Sequence, residues 1–310
     1  MKYLLILIIV SVLITSSCDN STVNKNSLDS FDISNDDSCI LFSATNRNNN
    51  ASVYRISMDG KSLIKIIAST IDSNFYNPRY SNNNKKILFI GSSSNSHYTD
   101  IYISNKDGTE RQRITKGDEM ISEAFFSDDD SKVYFVKSNE YSHSSPVGKD
   151  QLHGTDVYSI SLKSEIVERV TKLNAYGIFD ISSYNLEKIL MYIPAQTQGG
   201  LILISKNRSN EINRLNPINN PREDLSLAHT PMFSKKYEML GFIVPYELYL
   251  MNIQSKKAKL IVKNRDNPVY GFRFFNNQKC ILYINENDTN FYVVNFEGSE
   301  LKRIPIPYIE

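Results

Sequence analysis

Short apolar runs recur along the chain, each bounded by Asn, Asp, Ser or Gly. Runs of that length between turn formers predict strands rather than helices. One motif orders them. A serine closes a run, and an apolar residue follows six positions later. The pairs are Ser34 and Ile40, Ser81 and Ile87, Ser127 and Val133, Ser183 and Ile189, and Ser234 and Leu240. Phe275 and Ile281 repeat the spacing, with Phe in place of Ser. Asn35-Asp36-Asp37, Asn82-Asn83-Asn84, Asp128-Asp129-Asp130 and Asn276-Asn277 fill the gaps. Such residues bend the chain between two strands. A third strand is predicted at 53–56, 101–104, 157–160, 201–204, 248–251 and 291–294. Three of these lead into Asp59-Gly60, Asp107-Gly108 and Glu297-Gly298. A closing strand is predicted at 63–67, 111–115, 168–171, 212–215, 259–262 and 300–304. Successive motifs lie 47, 46, 56, 51 and 41 residues apart. That is the length of one four-stranded blade. The pattern predicts an all-β chain, a six-bladed β-propeller of four-stranded antiparallel blades over residues 31–307.

The first 17 residues read differently. Lys2 precedes an apolar run over residues 3–14. The run is shorter than the roughly 20 residues a spanning helix needs and fits a secretory signal. Thr15-Ser16-Ser17-Cys18 follows at once and resembles the lipobox of bacterial lipoproteins, although Thr15 stands where Leu is usual. The resemblance implies cleavage after residue 17, thioether lipidation of Cys18 and acylation of the new amine. Residues 18–30, rich in Asn and Ser, read as a flexible tether. The expected location is a bacterial cell envelope. The propeller would be extracytoplasmic and lipid-anchored, at the outer membrane rather than the inner. Asp19 is a membrane-retention cue in some bacteria and not in others.

Within the repeats, Pro78-Arg79-Tyr80-Ser81, Asp100-Ile101-Tyr102 and residues 111–115 (Arg-Gln-Arg-Ile-Thr) resemble the TolB-type propeller repeat. That repeat runs Pro-x-Trp-Ser-Pro-Asp-Gly-Lys, apolar strand, Asp-Ile-Tyr, Asp-Gly, Leu-Thr. The likeness covers residues 31–307 and is strongest in the second repeat. Tyr80 or Phe replaces the Trp, and Asn/Asp runs replace the Pro-Asp-Gly turn. TolB itself carries a further α/β domain before its propeller, so the resemblance is to a propeller-only lipoprotein. It implies a rigid disc that takes a protein segment at its channel mouth.

Composition narrows the chemistry. Residues 1–17 carry one charge, at Lys2; the remainder holds 34 basic and 34 acidic side chains. That balance gives no footprint for nucleic acid. The sequence has no Gly-x-Gly, Gly-x-Ser-x-Gly, His-Glu-x-x-His or Cys-x-x-Cys. It therefore offers no dinucleotide loop, hydrolase elbow or familiar zinc motif, and no cofactor or metal is expected. Of His97, His143, His153 and His229, only His229 falls beside an inner strand. Cys39 and Cys280 occupy the same repeat position in the first and last blades. A disulfide there would close the ring, but equivalent positions of adjacent blades usually lie too far apart, so two packed thiols are expected. The third repeat is the longest, and its excess, residues 138–154, reads as a long loop that is either functional or a tolerated insertion.

Residues just before each motif should line the channel or its mouth. They include Tyr76, Arg79, Glu123, Tyr176, Asp180, His229, Tyr270 and Arg273. Tyrosine with mixed charge makes a plausible peptide or ligand surface. The same groups could equally pair with one another in a wet channel. The expected function is a monomeric, non-catalytic docking propeller for an envelope protein or peptide. A surface protein binding glycan or another small ligand is the alternative. A lyase or hydrolase using Glu123, Asp180 and His229 is the third reading.

Overall fold

The computed structural model describes residues 27–93, 96–117, 119–143, 150–194, 200–206, 212–219, 228–263, 266–286, 288–307 and 309. Cys18 and the signal-like run lie outside them. The first blade comprises β1 (Ser27–Ile33), β2 (Cys39–Thr45), β3 (Ala51–Ser57) and β4 (Leu63–Ile67). The second comprises β5 (Ser73–Tyr80), β6 (Lys86–Ser93), β7 (Thr99–Asn105) and β8 (Gln112–Arg113). The third comprises β9 (Ile121–Phe126), β10 (Lys132–His143), β11 (Asp150–Ser161) and β12 (Val167–Arg169). The fourth comprises β13 (Phe179–Ser183), β14 (Lys188–Ile193), β15 (Gly200–Ser205) and β16 (Ile212–Arg214). The fifth comprises β17 (His229–Ser234), β18 (Met239–Val244), β19 (Glu247–Asn252) and β20 (Ala258–Lys263). The sixth comprises β21 (Val269–Phe274), β22 (Cys280–Asn285), β23 (Asn290–Asn295) and β24 (Glu300–Pro305). Each blade is one antiparallel sheet of four consecutive strands, and the described residues contain no helix. The all-β six-bladed propeller expected from the motif spacing is the fold that forms. β1 starts at Ser27 rather than at residue 31.

The inner strands β1, β5, β9, β13, β17 and β21 touch in that order, and β21 returns to β1. Among the described residues no strand from one end of the chain completes the blade at the other. Side chains close the ring there. Phe31, Phe42 and Ile56 of the first blade share a buried cluster with Leu282, Phe291 and Ile304 of the last. Cys39 and Cys280 are both free thiols, as the blade geometry suggested.

Two repeated devices explain much of the sequence. In five blades an aromatic of the second strand faces a tyrosine of the third and stacks on it. The pairs are Phe42–Tyr54, Phe89–Tyr102, Phe135–Tyr158, Phe242–Tyr249 and Tyr283–Tyr292, with centroids 5.3–5.8 Å apart. Direct cross-strand aromatic pairs of this kind stabilise a sheet. The fourth blade pairs Met191 with Ile202 instead. The second device is the Asp that opens the Asp-Ile-Tyr triplet. Asp100 accepts from Thr115 Oγ1 at 2.6 Å, the Gly117 N–H at 3.1 Å and Arg113 Nη1 at 3.4 Å. Asp156 takes the same place in the third blade, gathering Arg169, Thr171 and the backbone beyond. The carboxylate ties the outer strand to the segment leading into the next blade.

The Asn/Asp turns link neighbours. Asp37 takes the Asn276 and Asn277 N–H groups at 2.8 and 2.7 Å, and Asp130 takes those of Asn82 and Asn83 at 2.8 and 2.9 Å. Both aspartates have positive φ, 58° and 57°, which Asp tolerates. The Gly turns make a parallel contact. Gly108 has φ +87°, and a Cβ there would lie 2.4 Å from the Ile66 carbonyl oxygen of the preceding blade. Gly108→Ala is therefore expected to destabilise by about 2 kcal/mol or more, through strain and an immovable backbone neighbour. Urea unfolding measures this, and a loss within about 0.5 kcal/mol would show that the blades can separate freely at this turn.

The third blade departs from expectation. Residues 138–143 and 150–154 are strand rather than loop. β10 continues to His143 and β11 begins at Asp150, so the hairpin projects beyond its blade. Glu140 faces His153 and Tyr141 faces Leu152. Ser142 Oγ lies 2.7 Å from His153 Nε2, and the His97 ring stacks on Tyr141 at 4.3 Å. Cross-strand pairs between polar residues therefore extend the ladder where composition suggested a loop.

Candidate functional site: the channel mouth

An inner strand is an edge strand, so its channel-side N–H and C=O groups need partners. Side chains supply them around this channel. Asp32 Oδ2 accepts the Tyr80 N–H at 2.9 Å. Glu123 accepts the Asp180 and Ile181 N–H groups at 2.7 and 2.9 Å, one on each oxygen. Asp180 Oδ2 accepts the Thr230 N–H at 2.9 Å. Asn77 Nδ2 donates to the Ser122 carbonyl at 2.7 Å, and Arg79 Nη1 to that of Phe31 at 3.2 Å. Each bond joins neighbouring blades.

All six inner strands carry a register shift near the same end, at Asp29, Asn77–Pro78, Ser122, Asp180–Ile181, Thr230–Pro231 and Tyr270. Bulges re-aim side chains and bend the strand. Asn77, Asp180 and Thr230 have φ of 51°, 55° and 52°. That conformation is costly for β-branched Thr230. Its N–H on Asp180 and its Oγ1 at 2.9 Å from His229 Nδ1 hold it there.

At this end lies a cavity of about 420 Å³. Arg79, Glu123, Asp180, His229, Tyr270 and Arg273 line it, all of them among the expected mouth residues. Tyr76 and Tyr176 do not. Tyr76 precedes the β5 bulge and packs into the cluster between the second and third blades. Tyr176 leans on the projecting hairpin and hydrogen-bonds Gln151. Asp29, Asn77, Tyr246 and Glu286 also line the cavity and were missed. Pro78 and Pro231, prolines inside predicted inner strands, mark two of the bulges. Tyr246 and Glu286 come from connections between second and third strands, which the repeat motif does not place.

Electrostatics divides the lining into floor and rim. Burial, and next the Asp180 charge, raise the Glu123 carboxyl well above its ordinary range, against its two N–H donors and Arg79. Burial lowers His229, with Asp180 pulling the other way. Burial, then the Arg79 charge, lowers Arg273, while Asp32, Asp180 and Glu123 oppose. Arg273 Nε stands 3.8 Å from Asp32, and Nη1 donates to the Phe272 carbonyl at 2.8 Å. These groups are largely spent on the fold. The rim is open: Tyr246 is 53% and Tyr270 51% exposed. On the fourth blade Phe179, 45% exposed, approaches Tyr192 at 6.5 Å, and Tyr192 approaches His229 at 6.4 Å. Among the described residues no group of three His, Cys, Asp or Glu side chains is placed to hold a metal ion.

The raised Glu123 has a testable consequence. Its folded value exceeds its unfolded one, so the folded state binds more protons between the two, and stability falls as pH rises through that window. Glu123→Gln removes this dependence. Denaturation from about pH 4 to about pH 8 should show the wild-type protein losing ground to the variant above the ordinary value of 4.5. A constant difference would show that burial leaves Glu123 unshifted.

Comparison with solved structures decides the architecture. The chain superposes on TolB from Acinetobacter baumannii with a TM-score of 0.62 over 90% of its own length, at 13% identity. The fold is that of a TolB-like propeller. The chain spans 62% of that TolB structure. TolB-like architecture is shared widely. The nidogen/laminin complex aligns with a TM-score of 0.63 at 8% identity, covering 91% of this chain and 94% of that one. An oligogalacturonate lyase in complex with manganese aligns with a TM-score of 0.59 at 9% identity, covering 87% and 74%. At such identities the likeness is one of fold. No family model and no curated protein matches the sequence.

Proposed function

We propose that this chain is a lipid-anchored envelope protein whose channel mouth docks an extended segment of another envelope protein, without catalysis. Cys18 is the lipidated residue in this reading, and the bacterial outer membrane its site. The observation that carries it is the division of labour at the mouth. Glu123, Asp180, Arg79 and Arg273 hold the inner strands together, whereas Tyr246 and Tyr270, which line the cavity, stand exposed. Exposed aromatics around a concave, pre-formed site suit protein recognition. A chain of the nidogen/laminin complex, an assembly of two proteins, shares this fold, which supports the reading.

Site-specific photo-crosslinking in cells tests the reading. A crosslinker replacing Tyr270 is expected to capture one envelope protein. One replacing Lys236, on the turn face, is not. A synthetic peptide covering the crosslinked segment should compete. Recovery of polysaccharide alone would favour the glycan reading, since the same rings can stack on sugars. Turnover of a polysaccharide that is lost in His229→Ala, with the fold intact, would establish an enzyme instead. Arg79→Glu or Arg273→Glu is a poor probe, because each change would break contacts along the inner strands.

A further inference from the structure

We propose that the channel mouth selects a basic side chain, lysine or arginine, of the segment it docks, held at the rim between Tyr246 and Tyr270 and facing Asp29, Asp180 and Glu286. This rests on the docking reading above and names the chemistry of its ligand. Three observations carry it. The first is charge. Four carboxylates line the cavity, Asp29, Glu123, Asp180 and Glu286, against two guanidiniums, Arg79 and Arg273. Both arginines are already engaged. Arg79 Nη1 donates to the Phe31 and Pro78 carbonyls, each at 3.2 Å. Arg273 serves the Phe272 carbonyl and the additional carboxylate Asp32. Even with Glu123 raised toward its neutral form, Asp29, Asp180 and Glu286 outnumber the two guanidiniums, so the surplus at the mouth is negative.

The second observation is placement. Glu123 uses both oxygens on backbone N–H groups, but Asp180 uses only Oδ2 in this way, and Glu286 is exposed. Asp29, Asp180 and Glu286 all act on the Tyr270 phenol. Burial first, and then these three charges, hold its proton on. Tyr270 shares the cavity lining with these three carboxylates while half its surface remains open. The third is the wall. The Val269 N–H donates to the Tyr246 carbonyl at 3.2 Å, which fixes the Tyr246 backbone beside the strand that carries Tyr270. A cation between phenol rings gains from their faces as well as from the carboxylates. The arginines at the floor repel a second cation, so the basic group stays at the rim. An acidic ligand would meet the surplus carboxylates first.

A randomised displayed-peptide library panned against the full-length protein in detergent tests this. Enriched peptides are expected to share one lysine or arginine. Its replacement by glutamine should weaken binding about tenfold, and raised salt should weaken it further. Glu286→Gln, isosteric and at an exposed position, should lose a similar factor at an unchanged melting temperature. Two results overturn the proposal: enriched peptides with no shared basic residue, or a basic residue that glutamine replaces without loss. If such peptides still depend on Tyr270, shown by Tyr270→Ser, the docking reading stands and only its specificity fails. If no selected peptide depends on Tyr246 or Tyr270, both readings fail.

Discussion

Asp156→Ala should lower the folding free energy by about 3–5 kcal/mol, as expected when one partner of a buried ionic network is removed. Asp156 is fully buried. Its Oδ1 accepts from Thr171 Oγ1 at 2.7 Å and from the Leu173 N–H at 2.6 Å. Its Oδ2 takes the Asn174 N–H at 3.3 Å and the Arg169 guanidinium. Thr171 Oγ1 in turn accepts the Val157 N–H at 2.9 Å. Alanine would leave these donors facing one another across a void. Asp156→Asn keeps one acceptor oxygen and should cost about half as much. Asp100→Ala removes the equivalent clasp of the second blade, but Asp100 is partly exposed, so water can replace the carboxylate and the loss should be about 1–2 kcal/mol. Denaturant unfolding of the three variants checks the ranking. Equal losses for Asp100 and Asp156 would mean that burial does not set the cost.

Phe291→Ala is expected to cost about 3–5 kcal/mol and to act at one place in the ring. Phe291 is fully buried, 5.2 Å from Phe31 and 5.6 Å from Phe42 between ring centroids. It belongs to the last blade and both partners to the first. Since no described strand is shared between these blades, the cavity opens where side chains close the ring. Hydrogen exchange should accelerate first in β1, β2 and β21–β24. Uniform acceleration across all blades would show instead that the seam is no weaker than any other junction.

The architecture was legible because one turn recurs. The serine-to-apolar spacing keeps its register whatever residues fill it, and in the first three blades Asp37, Asn84 and Asp130 adopt a left-handed backbone at the same turn position. The mouth was legible only in part. Residues just before each motif are expected to face the channel, and the bulges decide which of them do. Arg79, Glu123 and Arg273 lie on the motif side of their bulges, Asp180 and Tyr270 within theirs, and all five line the cavity. Tyr76 lies beyond one and turns into the core between blades. Asp29 fell within what reads as tether, since a polar run gives no strand signal until it pairs with β2. Tyr246 and Glu286 reach the mouth through the ring's geometry, which no local pattern encodes.

The direction of β1 has a consequence for reach. Asp29 and Ser30, near its start, line the cavity, so β1 begins on the mouth side of the disc rather than on the turn face. Residues 18–26, fully extended, cover about 30 Å. With Cys18 held in a bilayer, such a leash would keep the mouth within that distance of the lipid surface. The disc could then sample only the layer next to its own membrane, where a bound segment meets a high local concentration of the site. A partner anchored in the same membrane needs little intrinsic affinity under that restriction. One that floats free gains nothing from it.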